Sequence, residues 1–352
     1  MTTSSLKPPA NTSKANKIIW HILGKRRKVV KVRGLTPIRD QKAFLCELAN
    51  KDKLVIKYAT QNEWENQKTA SLVGIPAPKV LGNFFEIYEK RERKKKKVSY
   101  GGWYGQAYIE FTEGEGEKTL ADFLQEQPNS SERKFSGATA LLVTIHNSLD
   151  NFKKKKKSHL PVLSRKVLNE QLRERIDKRL LPLFEKLKKQ EKYKKEVKRW
   201  IRAVKMFNRE EAISLLCAEK NTKVLLRWDY KPDNILLKKE GGKISLLSID
   251  WGVLMEGCPW LDIGFLLSDQ NGKERDRYLE EYLKLQKNKN TQIGEISLED
   301  ARKRMTVAFT LIQLIHASTN AKLILNGKTR LHNYRQVSYH LNKLVEEISE
   351  TD

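Results

Sequence analysis

Asp229 and Asn234 stand five positions apart in the segment LRWDYKPDNILL, residues 226–237, and Asp250 follows sixteen residues after Asn234 in Ile249-Asp250-Trp251-Gly252. An aspartate on a loop can orient an attacking hydroxyl and accept its proton, while an amide oxygen close by can hold a metal ion on phosphate oxygens. The apolar runs 235–238 and 244–249, joined through Gly241 and Gly242, read as a β-hairpin. Asn234 and Asp250 then face each other from its two ends as hard oxygen ligands, the kind Mg²⁺ prefers. Residue types in this order point to metal-assisted phosphoryl transfer.

Such groups need two kinds of support, and the rest of the chain divides accordingly. Residues 29–32, 43–48 and 54–59 read as three strands of a meander, with 50–53 as the turn between the second and third. Residues 62–73 suit one helix, with Asn62 as N-cap, Trp64, Ala70 and Leu72 among its less polar positions, and Pro76 and Pro78 forbidding continuation. Two further strands follow at 80–89 and 104–111, and the lysine run 94–97 with Gly101 and Gly102 reads as the exposed connection between them. Beyond Gly114 the spacing of apolar residues is mainly helical, at 120–127, 137–149, several segments within 163–220, and again from 261 onward, interrupted by short strands at 224–227, 235–238 and 244–249. The reading is α+β: a tail over 1–27, a lobe over 28–111 with a five-stranded antiparallel sheet and one helix, and a mainly helical lobe over 112–352.

These motifs and their order resemble the aminoglycoside phosphotransferase and choline kinase family, which has the two-lobed protein-kinase-like fold. Arg227-Trp228-Asp229 with Asn234 is similar to the family's His-Gly-Asp and downstream Asn, Asp250-Trp251-Gly252 to its Asp-Phe-Gly-like motif, and Gly257, Pro259 and Asp262 to a later Gly-Pro-Asp. The resemblance runs from about residue 29 to the final helices. It implies an ATP- and Mg²⁺-dependent phosphotransferase that moves the γ-phosphoryl group to a hydroxyl, with Asp229 as catalytic base and Asn234 and Asp250 as metal ligands. Lys57 in LVIKYA matches the third-strand lysine that contacts nucleotide phosphates, and Glu65 its ion-pair partner, with Glu63 as the alternative. Adenine is expected against the chain near Glu110 and Thr112. His146 reads as a packed helix-end histidine, and Asp262 as a carboxylate that holds the catalytic loop.

Three departures stand out. Arg227 replaces the family's histidine. Lys231, two residues after Asp229, matches the lysine that protein kinases aim at the transferred phosphate. The first strand turn, residues 34–42, has one glycine, so phosphate contacts there fall to Thr36, Arg39 or backbone amides. The few residues between Gly252 and Gly257 leave no room for the platform on which protein kinases hold a peptide, which favours a small-molecule acceptor.

Bulk properties bound the alternatives. The 352 residues carry 69 Lys plus Arg against 43 Asp plus Glu, a formal charge of +26. That charge suits a second reading: a catalytically weak kinase-like scaffold holding nucleic acid or another anionic partner. Aromatic residues do not interleave with the lysine runs 94–97 and 153–157, however, so these read as solvated loops. Cys46, Cys217 and Cys258 lie far apart, which suggests neither disulfides nor zinc but a reducing compartment. No run of about 20 apolar residues is present to span a membrane. A cytoplasmic location is expected, with organelle targeting by the N-terminal tail left open.

Overall fold

The computed structural model describes residues 12–24, 27–35, 43–90, 97–107, 109, 118–127, 131–156, 159–207, 209–217, 223–240, 243–268, 270–326 and 331–349. The chain forms two compact units, Met1–His159 with Pro232–Leu254, and Leu160–Lys231 with Met255–Asp352.

The first unit is built on an antiparallel sheet of five strands, β1 (Val29–Gly34), β2 (Ala43–Leu48), β3 (Lys53–Ala59), β4 (Val80–Lys90) and β5 (Lys97–Ala107), in the order β1-β2-β3-β5-β4. The expected five-stranded sheet with a helix after its third strand is therefore present. That helix, α2 (Gln61–Leu72), starts one residue earlier than its spacing suggests. Thr60, not Asn62, is the cap, its hydroxyl accepting from Glu63 N at 3.2 Å.

Two expectations for this unit need correction. Residues Thr12–Leu23, placed in a tail, form helix α1, which buries Ala15, Ile18, Ile19 and Ile22 with Val29, Phe44, Ile56 and Trp103. Full burial of each isoleucine is worth about 2 kcal/mol, enough to hold a short amphipathic helix on a sheet. Asn16 Oδ1 accepts from Val29 N at 2.8 Å, and the His21 ring stacks on Phe85 with centroids 4.2 Å apart. Helix and strand approach so closely that a Cβ on Gly82, whose φ is +71°, would stand 2.2 Å from the Ile22 carbonyl oxygen.

The second correction concerns Gly101 and Gly102, which are not a turn. They lie inside β5, opposite Ile87 and Glu86. A Cβ on Gly102 would come within 2.4 Å of the Phe85 carbonyl oxygen and 2.7 Å of the Phe84 ring, so glycine is there to admit a neighbour.

Helices α3 (Leu120–Glu126), α4 (Ser131–His146) and α5 (Leu149–Lys155) and the hairpin β7 (Ile235–Glu240) with β8 (Lys243–Ser248) complete this unit. Thr119 and Asp122 cap α3 reciprocally, and Leu237 N donates to Lys118 O at 2.9 Å. Ser248 N donates to Pro76 O at 2.8 Å, tying the end of the hairpin to the passage after α2. His146 is buried at the end of α4.

The second unit is mainly helical. Helix α6 (Arg165–Arg175) runs through the π-helical segment Ile176–Leu180 into α7 (Leu181–Lys188). Pro182 lacks a donor for a regular ladder, and the wider turn ahead of it absorbs the loss. Helices α8 (Lys194–Met206) and α9 (Arg209–Leu216) precede strand β6 (Val224–Leu226), which pairs with β9 (Met255–Gly257), a strand too short to leave a periodic signal. Helices α10 (Trp260–Leu266), α11 (Gly272–Lys287), α12 (Leu298–Leu325) and α13 (Leu331–Ser349) follow, and α12 carries much of the core through residues such as Phe309, Ile312 and Leu314. Among the described residues no helix is long and apolar enough to cross a membrane.

Candidate active site

Within the first unit, β3 presents Lys57 toward the first turn of α2, where its Nζ lies 2.5 Å from Glu63 Oε1 and 3.7 Å from Asp250 Oδ1. The expected partner, Glu65, is replaced by Glu63. Residues two apart on a helix point about 200° away from one another, so one lysine cannot serve both. Glu65 accepts instead from Gln61 Nε2 at 3.0 Å.

The buried face of α2 is mostly polar: Glu63, Asn66 and Gln67 join Ala70 at the i, i+3, i+4, i+7 spacing of one helix stripe. Buried polar groups persist only when hydrogen bonded, and these are. Gln67 Oε1 accepts from the Tyr104 hydroxyl at 2.8 Å, while Gln67 Nε2 donates to Pro78 O at 3.0 Å and to Gln106 Oε1 at 3.1 Å. Burial, then the negative charges of Glu63 and Asp250 and the hydrogen bond with Glu63, push the Tyr104 phenol well above its ordinary 10, so it acts as a neutral donor.

Asp250 reaches this cluster through an unusual backbone. Its φ is +62°, a left-handed conformation costing a non-glycine residue on the order of 1 kcal/mol or more. The neighbours hold it there. Trp251 is fully buried with its Nε1 donating to Ser248 O at 3.1 Å, Asn66 Nδ2 donates to Trp251 O at 2.9 Å, and Ile249 N donates to Asn234 O at 2.9 Å. The last bond, beside the Ile235–Ser248 pair, sets Asn234 and Asp250 at adjoining ends of the hairpin, as their spacing requires. The Asp250 side chain stays about half exposed, at 48%.

In the second unit, Asp229 and Lys231 form an ion pair, Nζ to Oδ1 3.4 Å, and Lys231 N donates to Asp229 O at 3.1 Å. Trp228, just before them, has φ +59°. The loop is anchored from below: Asp262, fully buried in the first turn of α10, accepts from Arg227 N at 2.7 Å through Oδ2. Arg227 is itself buried, its guanidinium 6.0 Å from the ring centroid of the buried Tyr230.

Lys57 and Asp250 thus meet in one unit, with Asn234 at the adjoining end of the hairpin, and Asp229 and Lys231 are paired in the other. Glu110 and Thr112, expected near adenine, and Thr36 and Arg39, expected near phosphates, lie outside the described residues. Asn66, Gln67, Tyr104 and Lys156 escaped the sequence reading. The helical stripe they meet was detectable, but only if polar residues are allowed on a buried face.

No family model matches the sequence, and no curated protein matches it significantly. Solved structures do match its fold. A putative aminoglycoside phosphotransferase from Ralstonia eutropha superposes with a TM-score of 0.61 at 11% identity, over 97% of this chain and 98% of that one. Spectinomycin phosphotransferase, solved with ADP and spectinomycin, gives 0.59 at 12%, over 97% and 98%. Choline kinase LicA from Streptococcus pneumoniae gives 0.54 at 14%, over 92% and 94%. The chain has the protein-kinase-like fold seen in these small-molecule kinases.

Proposed function

We propose that this protein is an ATP-dependent phosphotransferase that moves the γ-phosphoryl group to a hydroxyl of a small molecule. The observation that carries the reading is the meeting of Lys57 with Glu63 at 2.5 Å and Asp250 at 3.7 Å, on a hairpin whose other end is Asn234. Similar folds were solved with nucleotide: LicA with AMP, aminoglycoside 2'-phosphotransferase-IIIa with GDP, and spectinomycin phosphotransferase with ADP and spectinomycin.

In this reading Glu63 holds the Lys57 ammonium in place, and Lys57 neutralises phosphate charge of the bound nucleotide. Asp229 orients the acceptor hydroxyl and takes its proton, and Lys231 sits beside the transferring group. The donor set suits Mg²⁺: one half-exposed carboxylate and one amide oxygen leave room for the phosphate oxygens and waters that this ion keeps. Among the described residues no cluster of three or more His, Cys, Asp or Glu forms a dedicated metal cage. Asn234 and Asp250 would hold the ion, which supplies charge neutralisation on the phosphates when bound.

The acceptor is read as a small molecule because β9 begins at Met255, three residues after Gly252, so no peptide-carrying segment intervenes. Purified protein with MgATP, screened against alcohols, amino alcohols and sugars for ADP release, tests the proposal. Turnover with one acceptor class supports it. Retention of polyanions without turnover would favour the basic scaffold instead.

A further inference from the structure

Five consecutive lysines, 153–157, follow one another at the end of α5, and their composition suggests a solvated run. Lys153, Lys154 and Lys155 are exposed, but Lys156 turns inward and is 8% exposed. Its Nζ donates to Asn66 Oδ1 at 2.6 Å and to Asn62 Oδ1 at 3.1 Å. Those two asparagines flank Glu63 on α2, and Asn66 also donates through Nδ2 to Trp251 O.

An ammonium has three donors and no acceptor, so a carboxamide meeting it must present oxygen. Lys156 therefore fixes which way the Asn66 amide faces. With Oδ1 committed to the lysine, Nδ2 is left for the Trp251 carbonyl. Without that donor the amide could turn, setting oxygen against oxygen at the backbone just after the left-handed Asp250.

We propose that Lys156 is a positioning residue for the metal-binding loop: by orienting Asn66 it ties Asp250-Trp251-Gly252 to the helix that carries Glu63. The proposal rests on the phosphotransferase reading above. Burial lowers the Lys156 pKa, and the charge of Glu65 opposes that shift. Asn66 thereby links two elements that both meet Lys57, α2 through Glu63 and the loop through Asp250.

The test measures the Mg²⁺ concentration needed for calorimetric binding of a non-hydrolysable ATP analogue, alongside thermal unfolding. Lys156→Met keeps length and removes every donor; it is expected to raise the Mg²⁺ requirement about tenfold, the usual consequence of losing a group that orients a metal ligand. Its unfolding midpoint should move little, since relief from burying a cation offsets the loss of the donor to the buried Asn66 Oδ1. Asn66→Asp, which keeps the lysine contact but cannot donate to Trp251 O, should raise the Mg²⁺ requirement similarly and supplies the answer if Lys156→Met does not fold. Lys155→Met, next in the run and exposed, should match wild type. An unchanged Mg²⁺ requirement in both folded variants, or a loss of affinity that only follows a fall in stability, overturns the proposal. Failure of the wild-type protein to bind the Mg²⁺–nucleotide complex would instead reject the phosphotransferase reading itself.

Discussion

Glu63, in the first turn of α2, meets Lys57 at 2.5 Å, while Glu65 stands on another face of the same helix. The pair is nearly enclosed, with side-chain exposures of 17% for the lysine and 11% for the glutamate, so each charge depends on the other for solvation. Glu63→Gln should therefore lower kcat/KM for ADP release about 100-fold by displacing the lysine. Glu65→Gln should lower it far less, because Lys57 is paired with Glu63 while Glu65 accepts from Gln61 on another face of the helix. Equal losses in the two variants would contradict the pairing.

Asp262 acts on the loop carrying Asp229 through the Arg227 amide. Removing a buried acceptor leaves that donor unsatisfied beside a buried guanidinium, at a cost of about 3 kcal/mol. Urea unfolding of Asp262→Ala should show this loss. A fully stable variant with poor turnover would make Asp262 a chemical participant instead.

Gly82 and Gly74 give a matched pair for the packing of α1. Both have positive φ, +71° and +79°, but a Cβ at Gly82 would strike Ile22, whereas at Gly74 nothing lies within 4 Å. Gly74→Ala should cost about 1 kcal/mol from backbone strain alone. Gly82→Ala should cost at least about 2 kcal/mol more and loosen α1, visible as faster amide exchange in Ile18, Ile19 and Ile22.

His340 provides a pH signature in the second unit. Burial, then the positive charges of His316 and Lys343, lower its pKa from 6.5 to about 4. Its ring stacks on His316 with centroids 4.9 Å apart, and Nδ1 lies 2.8 Å from Gln313 Oε1. Between those two pH values the unfolded chain binds the proton that the folded one refuses, so stability falls as pH falls from 6.5 toward 4 and is fully present above 6.5. After allowance for solvent screening this amounts to about 2 kcal/mol. His340→Gln should flatten that part of the curve in urea titrations at several pH values. An unaltered slope would mean that another group carries it.

The sheet was legible because β2 and β3 are apolar runs broken by turn residues, and the hairpin of Asn234 and Asp250 because glycines and short strands mark it. Helix α1 was hidden by its surroundings: one short apolar stretch, IIWHIL, in a segment without acidic residues looks like a tail until a sheet is there to cover it. Helix α2 misled differently. Of its less polar positions Trp64, Ala70 and Leu72, only Ala70 is buried; Leu72 is 64% exposed, and the rest of the face turned inward is Glu63, Asn66 and Gln67. Hydrophobic pattern fails where a helix buries polar groups for a site. The pairings of Asn66 with Lys156 and with Trp251 cross 90 and 185 residues of sequence, and no local rule reaches that far.

Lys57, Asn234 and Asp250 are proposed to hold a magnesium nucleotide, and Asp229 to serve phosphoryl transfer without holding it. Calorimetric titration of wild type, Asp250→Ala and Asp229→Asn with a non-hydrolysable ATP analogue, with and without Mg²⁺, tests this most directly. Wild type and Asp229→Asn should bind alike and need Mg²⁺, while Asp250→Ala should lose at least about tenfold in affinity and most of that need. Binding by Asp250→Ala as tight and as Mg²⁺-dependent as wild type would contradict the claim.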